Sequence, residues 1–283
     1  MNRWNSLFSP QRSRPAILAV LNASPESFYA GSVETGAGEI ARRVRRMEAD
    51  GADAIDIGAR SSAPYKETAI TLEEEVRRMA HAVRAARAAT TLPISADTPR
   101  AEVARAALDE GADAVNDITA LEGDPAMGRL IAERRCGGLL MVNDSPTLDE
   151  QGQPPHRVVA RLFEAAARRA LDAGIPRDAI SLDPGVGFFR QRSLPWHQWD
   201  LDVIAHIGEY AALGYPVVLG ASRKSFLGPL LGRTDAADRL AGSLALAAWA
   251  AMRNTAMLRV HDVAETRDVL EVLSLLSSKQ SGQ

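Results

Sequence analysis

The sequence predicts an α/β protein, a single-domain (β/α)8 TIM barrel, on three observations. Eight short apolar, β-rich runs recur along its 283 residues. They are continuous rather than alternating, as strands buried on both faces of a parallel sheet are. Each is followed by an amphipathic stretch, which right-handed crossovers would wind into a barrel. No Gly-x-Gly-x-x-Gly follows the first run, and this disfavours an open, doubly wound sheet.

The first run, 16–21 (AILAVL), follows a short N-terminal arm (1–14) that carries Arg3, Arg12 and Arg14. It is too short for a signal-peptide core and Pro15 opens it, so it reads as a core strand. In 36–50, Ile40, Val44 and Met47 mark one stripe of a helix. The second run is 53–58, and Thr71 with Glu74 forms a capping box that opens a helix over 72–88. The remaining runs are 92–96, 113–118, 137–142, 178–183, 215–220 and 256–261. Helical stretches follow at 99–110, 124–134, 156–173, 199–213, 236–253 and 263–277, and the polar tail 277–283 is expected to fray. With no composition shift that would mark a linker, 1–283 is one domain. The long connections 22–35, 59–70 and 143–155 fall where a barrel places its substrate loops.

Composition excludes several classes. Apolar residues make up 46% and charged residues 24%, with a net charge of −3, which gives no basic balance for nucleic acid. The one cysteine, Cys136, can form no internal disulfide and offers no thiolate cluster, which points to the cytoplasm. No run approaches the ~20 apolar residues of a membrane helix. No spacing of His or Cys supports a zinc site, and no Ser/His/Asp order supports a hydrolase.

Polar residues gather at the C-terminal ends of the runs: Asn22, Asp56, Asp97, Asn116 with Asp117, Asp183, Ser222-Arg223-Lys224, and Arg259 with His261. In a barrel these ends converge on one mouth, which points to an enzyme. Asp97, Asn116 and Asp183 are acceptor-rich and suit a heterocycle with several N–H donors, such as a 2-amino-4-oxo pyrimidine. Buried carboxylates need a partner, which Lys224 or a ligand would supply. Arg259, His261 and Asn22 form a second half suited to a phosphate or diphosphate accompanied by Mg2+.

At these residues the sequence resembles the dihydropteroate synthases. The motifs are NASPESF (22–28), GADAIDIG (51–58), ADT (96–98), NDI (116–118), LDPGVGF (182–188), GASRKSF (220–226), RLAGSLA (239–245) and RVHDV (259–263). The resemblance implies condensation of 6-hydroxymethyl-7,8-dihydropterin diphosphate with p-aminobenzoate, with release of diphosphate. It places the pterin on Asp97, Asn116, Met141, Asp183, Phe188, Gly220 and Lys224. It places the diphosphate on Asn22, Arg259 and His261, with Mg2+ near Asn22. The arylamine falls to Ser62, Ala63, Pro64, Ser222 and Ser225, and the catalytic residues to Lys224, Arg259 and His261. A homodimer in the cytoplasm, with neither nucleic acid nor membrane as partner, is implied as well.

Departures cluster on the amine side. Where the family commonly reads GESTRPG, this chain reads ARSSAPY (59–65): Arg60 replaces an acidic residue, Ser62 a threonine, Ala63 an arginine and Tyr65 a glycine. Ser24 and Glu26 replace threonine and aspartate, Met141-Val142-Asn143 stands for MHM, and Phe189-Arg190 ends a GFFR in place of GFGK. Two alternatives follow. One is a paralogue joining the same pterin to another arylamine, as in methanopterin-type pathways, with Arg60 as a phosphate partner. The other is a pterin-binding protein without synthase activity. A pterin-binding methyltransferase module fits less well, since it predicts neither SRKSF nor RVHD. Trp196 and Trp199 are expected to anchor the sixth helix, and His81 and His206 to sit on helix surfaces.

Overall fold

Continuous burial along the apolar runs makes each a strand of one parallel sheet. The computed structural model describes residues 3–23, 33–60, 70–144, 148–190 and 192–281. The elements are β1 (Ala16–Asn22), α1 (Val33–Ala49), β2 (Ala54–Gly58), α2 (Leu72–Arg87), β3 (Ile94–Asp97), α3 (Ala101–Asp109), β4 (Ala114–Asp117), α4 (Met127–Arg134) and β5 (Gly137–Met141). They continue with α5 (Pro155–Asp172), β6 (Ile180–Asp183), α6 (Trp196–Ala205), β7 (Val218–Leu219), α7 (Leu227–Leu231), α8 (Leu240–Ala251), β8 (Met257–Val260) and α9 (Val263–Ser281). The eight strands run in the order β6-β5-β4-β3-β2-β1-β8-β7, and a parallel bridge between Leu182 and Val217 joins the outer two. This is the expected (β/α)8 barrel.

The helices follow the sequence pattern with local differences. Thr71 caps α2 as its spacing requires, its hydroxyl accepting from the Glu74 N–H at 3.2 Å. The stretch expected as one helix over 199–213 divides into α6 and a 3₁₀ segment, Ile207–Leu213. The five-residue α7 was not expected. The tail expected to fray from residue 277 is corrected: α9 continues to Ser281. No helix among the described residues is long and apolar enough to cross a membrane.

The N-terminal arm closes the bottom of the barrel. Trp4 and Leu7, on either side of the start of the 3₁₀ turn Asn5–Phe8, are buried against the lowest interior residues Ala16, Leu18, Ala54, Ala114, Leu139, Val218 and Met257. Arg12 and Arg14 both reach Asp53 at 2.7 Å, and the Ile17 N–H donates to the same carboxylate at 2.8 Å. Burial opposes the charge on Asp53, but the bonds from Arg14 and Arg12 prevail and hold its pKa below the ordinary value. At Gly137 a Cβ would lie 2.2 Å from the Trp4 ring. Gly137→Ala should therefore cost about 1–3 kcal/mol by overpacking, read as a lower midpoint in urea unfolding.

Candidate active site

The upper ends of the strands carry the polar residues, and the structure joins them into one network. Asp56 on β2 is fully buried and accepts three side-chain bonds: from Ser95 Oγ at 2.5 Å, Asn116 Nδ2 at 3.0 Å and Arg259 Nε at 2.6 Å. Arg259 Nη2 also donates to Asp97 Oδ2 at 2.7 Å. Arg259 therefore spans the two halves expected from sequence rather than belonging to the anion side alone. Asp56 was visible at a strand end, but its role as the hub was not. Nor was that of Ser95, which looks like any small residue of a buried strand.

Asp183 ends β6 beside Met141, its register partner on β5. Its Oδ1 accepts the Gly185 N–H at 2.8 Å, and Gly185 has φ +68°, where a Cβ would lie 1.9 Å from the Val142 carbonyl oxygen. Only glycine can make this turn. Gly220 follows β7, and a Cβ there would lie 3.4 Å from Asp183 Oδ2, so its missing side chain leaves that carboxylate open. Lys224 Nζ sits 4.5 Å over the Phe188 ring. Its aim depends on a strained backbone: the preceding Arg223 has φ +54°. Arg223 is held there by its N–H on Ser243 Oγ (2.8 Å) and by two bonds to Asp262 (2.7 and 2.8 Å).

Three carboxylates share few cations within the pocket: Arg259 pairs with Asp56 and Asp97, Lys224 attracts Asp183 and Asp97, and Arg60 adds a weaker pull on Asp97. Desolvation raises Asp97, attraction to Arg259 opposes it, and repulsion from Asp56 adds to it, leaving the pKa at about 7. Asp183 is raised by burial as well. Lys224 is lowered to about 8, first by burial and against the pull of Asp183. Asp200 on α6 is buried, accepts the Gly187 N–H at 2.9 Å, and is pushed up by desolvation to about 6. It fixes the loop that carries Phe188, another contribution with no sequence signal.

A carboxyl whose pKa is raised on folding keeps its proton in the native state where the unfolded chain has lost it. For Asp97 that contribution to stability is full below about pH 4 and is lost as pH rises through about 7. Urea midpoints should accordingly fall between pH 5 and pH 8, with a shallower fall in Asp97→Asn. An unchanged slope in that variant would contradict the assignment.

On the anion side, His261 Nδ1 lies 3.1 Å from Ser222 Oγ, which also accepts the His261 N–H at 3.2 Å. Ser222, expected with the arylamine residues, thus stands with His261. Desolvation and then the charge of Arg259 hold the His261 pKa below its ordinary value. The residue's exposed side limits that shift, but its direction leaves the ring neutral at pH 7 until an anion arrives. Asn22 ends β1, exposed, and the space beside Gly58 is flanked at 3.7 Å by both Asn22 Oδ1 and Asp97 Oδ2. Ser225 accepts a bond from Arg190 at 2.8 Å. Ser62, Ala63 and Pro64 lie outside the described residues. Arg60 has its Nε 4.0 Å from buried Glu75, which also binds Arg100 at 2.9 Å.

One oxygen from Asn22 fits Mg2+, which typically takes few protein ligands and completes its octahedron with water and substrate phosphates. A second grouping has His156 on α5, Asp202 in α6 and His206 just beyond α6. Its imidazoles stack at 3.8 Å with planes 17° apart. Lone pairs in near-parallel planes do not converge on one ion, so it is not a ready metal site. Trp199 stacks on Phe189 at 5.1 Å in the core, the anchoring role expected of it.

Against known proteins, the family described as "Pterin binding enzyme" matches residues 18–261. A dihydropteroate synthase of Streptococcus pyogenes is 36% identical over 262 residues, covering 92% of this chain and 95% of the relative. A Mycobacterium leprae relative called "Inactive dihydropteroate synthase 2" is also 36% identical, over 92% of this chain and 90% of its own length. Among solved structures, the Xanthomonas albilineans dihydropteroate synthase with 4-aminobenzoic acid superposes with a TM-score of 0.84. It is 35% identical, with 93% of each chain covered.

Proposed function

The chain belongs to the pterin-binding enzyme family, among relatives that are dihydropteroate synthases, and we propose that it transfers a dihydropterin methylene group from its diphosphate to p-aminobenzoate. The observation that carries this is the single network in which Arg259 links the acceptor cluster of Asp56, Asp97 and Asn116 to the side of the mouth that carries His261. Asp97, Asn116 and Asp183 accept the ring N–H groups of the pterin, and Lys224 donates to its carbonyl edge. Met141, Phe188 and Gly220 shape the slot around it.

Arg259 and His261 meet the diphosphate, with Asn22 offering an oxygen to Mg2+, which when bound neutralises charge on the phosphate oxygens. As the pterin carbon–oxygen bond breaks, negative charge grows on the leaving group beside Arg259, whose orientation is already set by two carboxylates. The arylamine nitrogen then attacks the methylene carbon and loses a proton. The second reading, pterin binding without synthase chemistry, is favoured by the Mycobacterium leprae relative and by Ala63, which supplies no charge in the second loop. The phosphorylated arylamine of the paralogue reading loses support, because Arg60 already faces Glu75.

The purified protein supplied with both substrates and Mg2+ should form 7,8-dihydropteroate. Pterin binding with no product would favour the second reading. Homodimerisation is supported by exposed apolar residues on α8, just past its end and on α9, including Trp249, Met252, Val272, Leu275 and Leu276. Light scattering should then return twice the 30.4 kDa chain mass. We place this chemistry in the cytoplasm, in keeping with the lone, buried thiol of Cys136.

A further inference from the structure

We infer that Arg190 selects an arylamine bearing a carboxylate, acting with Ser225 as the clamp for that group; this rests on the synthase reading above. The side chain is held on three sides. Its Nε donates to the Gly187 carbonyl at 2.9 Å, its guanidinium lies 4.1 Å over the Trp196 ring, and its Nη2 donates to Ser225 Oγ at 2.8 Å. Its backbone N–H donates to Asp144 at 3.1 Å, but the carboxylate of Asp144 pairs with Arg192.

Arg190 itself makes no ion pair among the described residues, whereas the neighbouring guanidiniums of Arg192, Arg223 and Arg259 are all paired. A pinned, half-buried guanidinium with no direct ion pair among the described residues, and only the more distant pull of Asp200, is a site prepared for an anion.

Its place in the mouth says which anion. Asp183 and Asp97 mark the pterin end, and Lys224 lies next, over Phe188. Ser225 follows Lys224 directly and carries the bond to Arg190. A flat arylamine whose nitrogen must reach the pterin methylene beside Lys224 directs its opposite end outward. There it meets Ser225 and Arg190. The Ser225 oxygen accepts from Arg190, which leaves its proton free for one carboxylate oxygen while the guanidinium takes the other.

The test is calorimetric titration of the full-length protein with 7,8-dihydropteroate and with its carboxamide analogue, in wild type, Arg190→Lys and Arg190→Ala. Arg190→Ala should weaken dihydropteroate about ten- to hundredfold, the worth of a charge-assisted bond. It should leave the carboxamide unchanged, and Arg190→Lys should recover part of the loss. Equal losses for acid and amide, or no loss for the acid, would overturn the inference. Wild-type protein that binds the acid tightly yet forms no product would overturn the synthase reading alone. Binding of neither compound would overturn both.

Discussion

Arg259→Ala should lower stability by about 3–5 kcal/mol and abolish dihydropteroate formation. Asp56 is fully buried, and Arg259 provides its ion pair at 2.6 Å, so alanine would strand a carboxylate that Ser95 and Asn116 can only hydrogen-bond. The same change frees Asp97 from its bond at 2.7 Å and removes the cation proposed to meet the leaving diphosphate. Arg259→Lys keeps a charge but loses the fork that reaches two carboxylates, so an intermediate loss is expected. Urea unfolding and turnover measured together check both halves. A loss under about 1 kcal/mol, the scale of an exposed pair, would mean that the pair is screened by solvent.

Asp183→Asn should weaken pterin binding about ten- to hundredfold, the worth of ~1.5–3 kcal/mol for a hydrogen bond to a charged acceptor. Oδ1 is committed to the Gly185 N–H, and Oδ2 faces the space that Gly220 leaves open. The amide keeps one acceptor but puts donors where the ring N–H groups would come. It also removes the leading attraction that sustains the charge on Lys224. Calorimetry with a pterin analogue checks this, and unchanged affinity would remove Asp183 from the pocket.

The barrel was legible because burial on both faces leaves continuous apolar runs, and β1, β5 and β8 lie where those runs fall. The convergence of Asp97, Asn116, Asp183, Lys224 and Arg259 was legible too, since every strand of a parallel barrel points the same way. What sequence could not give was partnership. Asp56 looked like one strand-end carboxylate among several, and only the closed sheet brings Ser95, Asn116 and Arg259 onto it. Ser222 and Ser225 are three residues apart, yet the left-handed Arg223 between them sends one to His261 and the other to Arg190. In the arm the sequence draws attention to Arg3, Arg12 and Arg14, while Trp4, its plug, has no periodic neighbour to reveal it.

The central claim is that one mouth holds the pterin on its acceptor cluster and the diphosphate beside Arg259. A crystal structure of the protein with bound 6-hydroxymethyl-7,8-dihydropterin diphosphate tests it most directly. The account predicts ring N–H groups on Asp97, Asn116 and Asp183, with the diphosphate against Asn22, Arg259 and His261. A ring bound elsewhere, or a diphosphate turned away from Arg259 and His261, would contradict it.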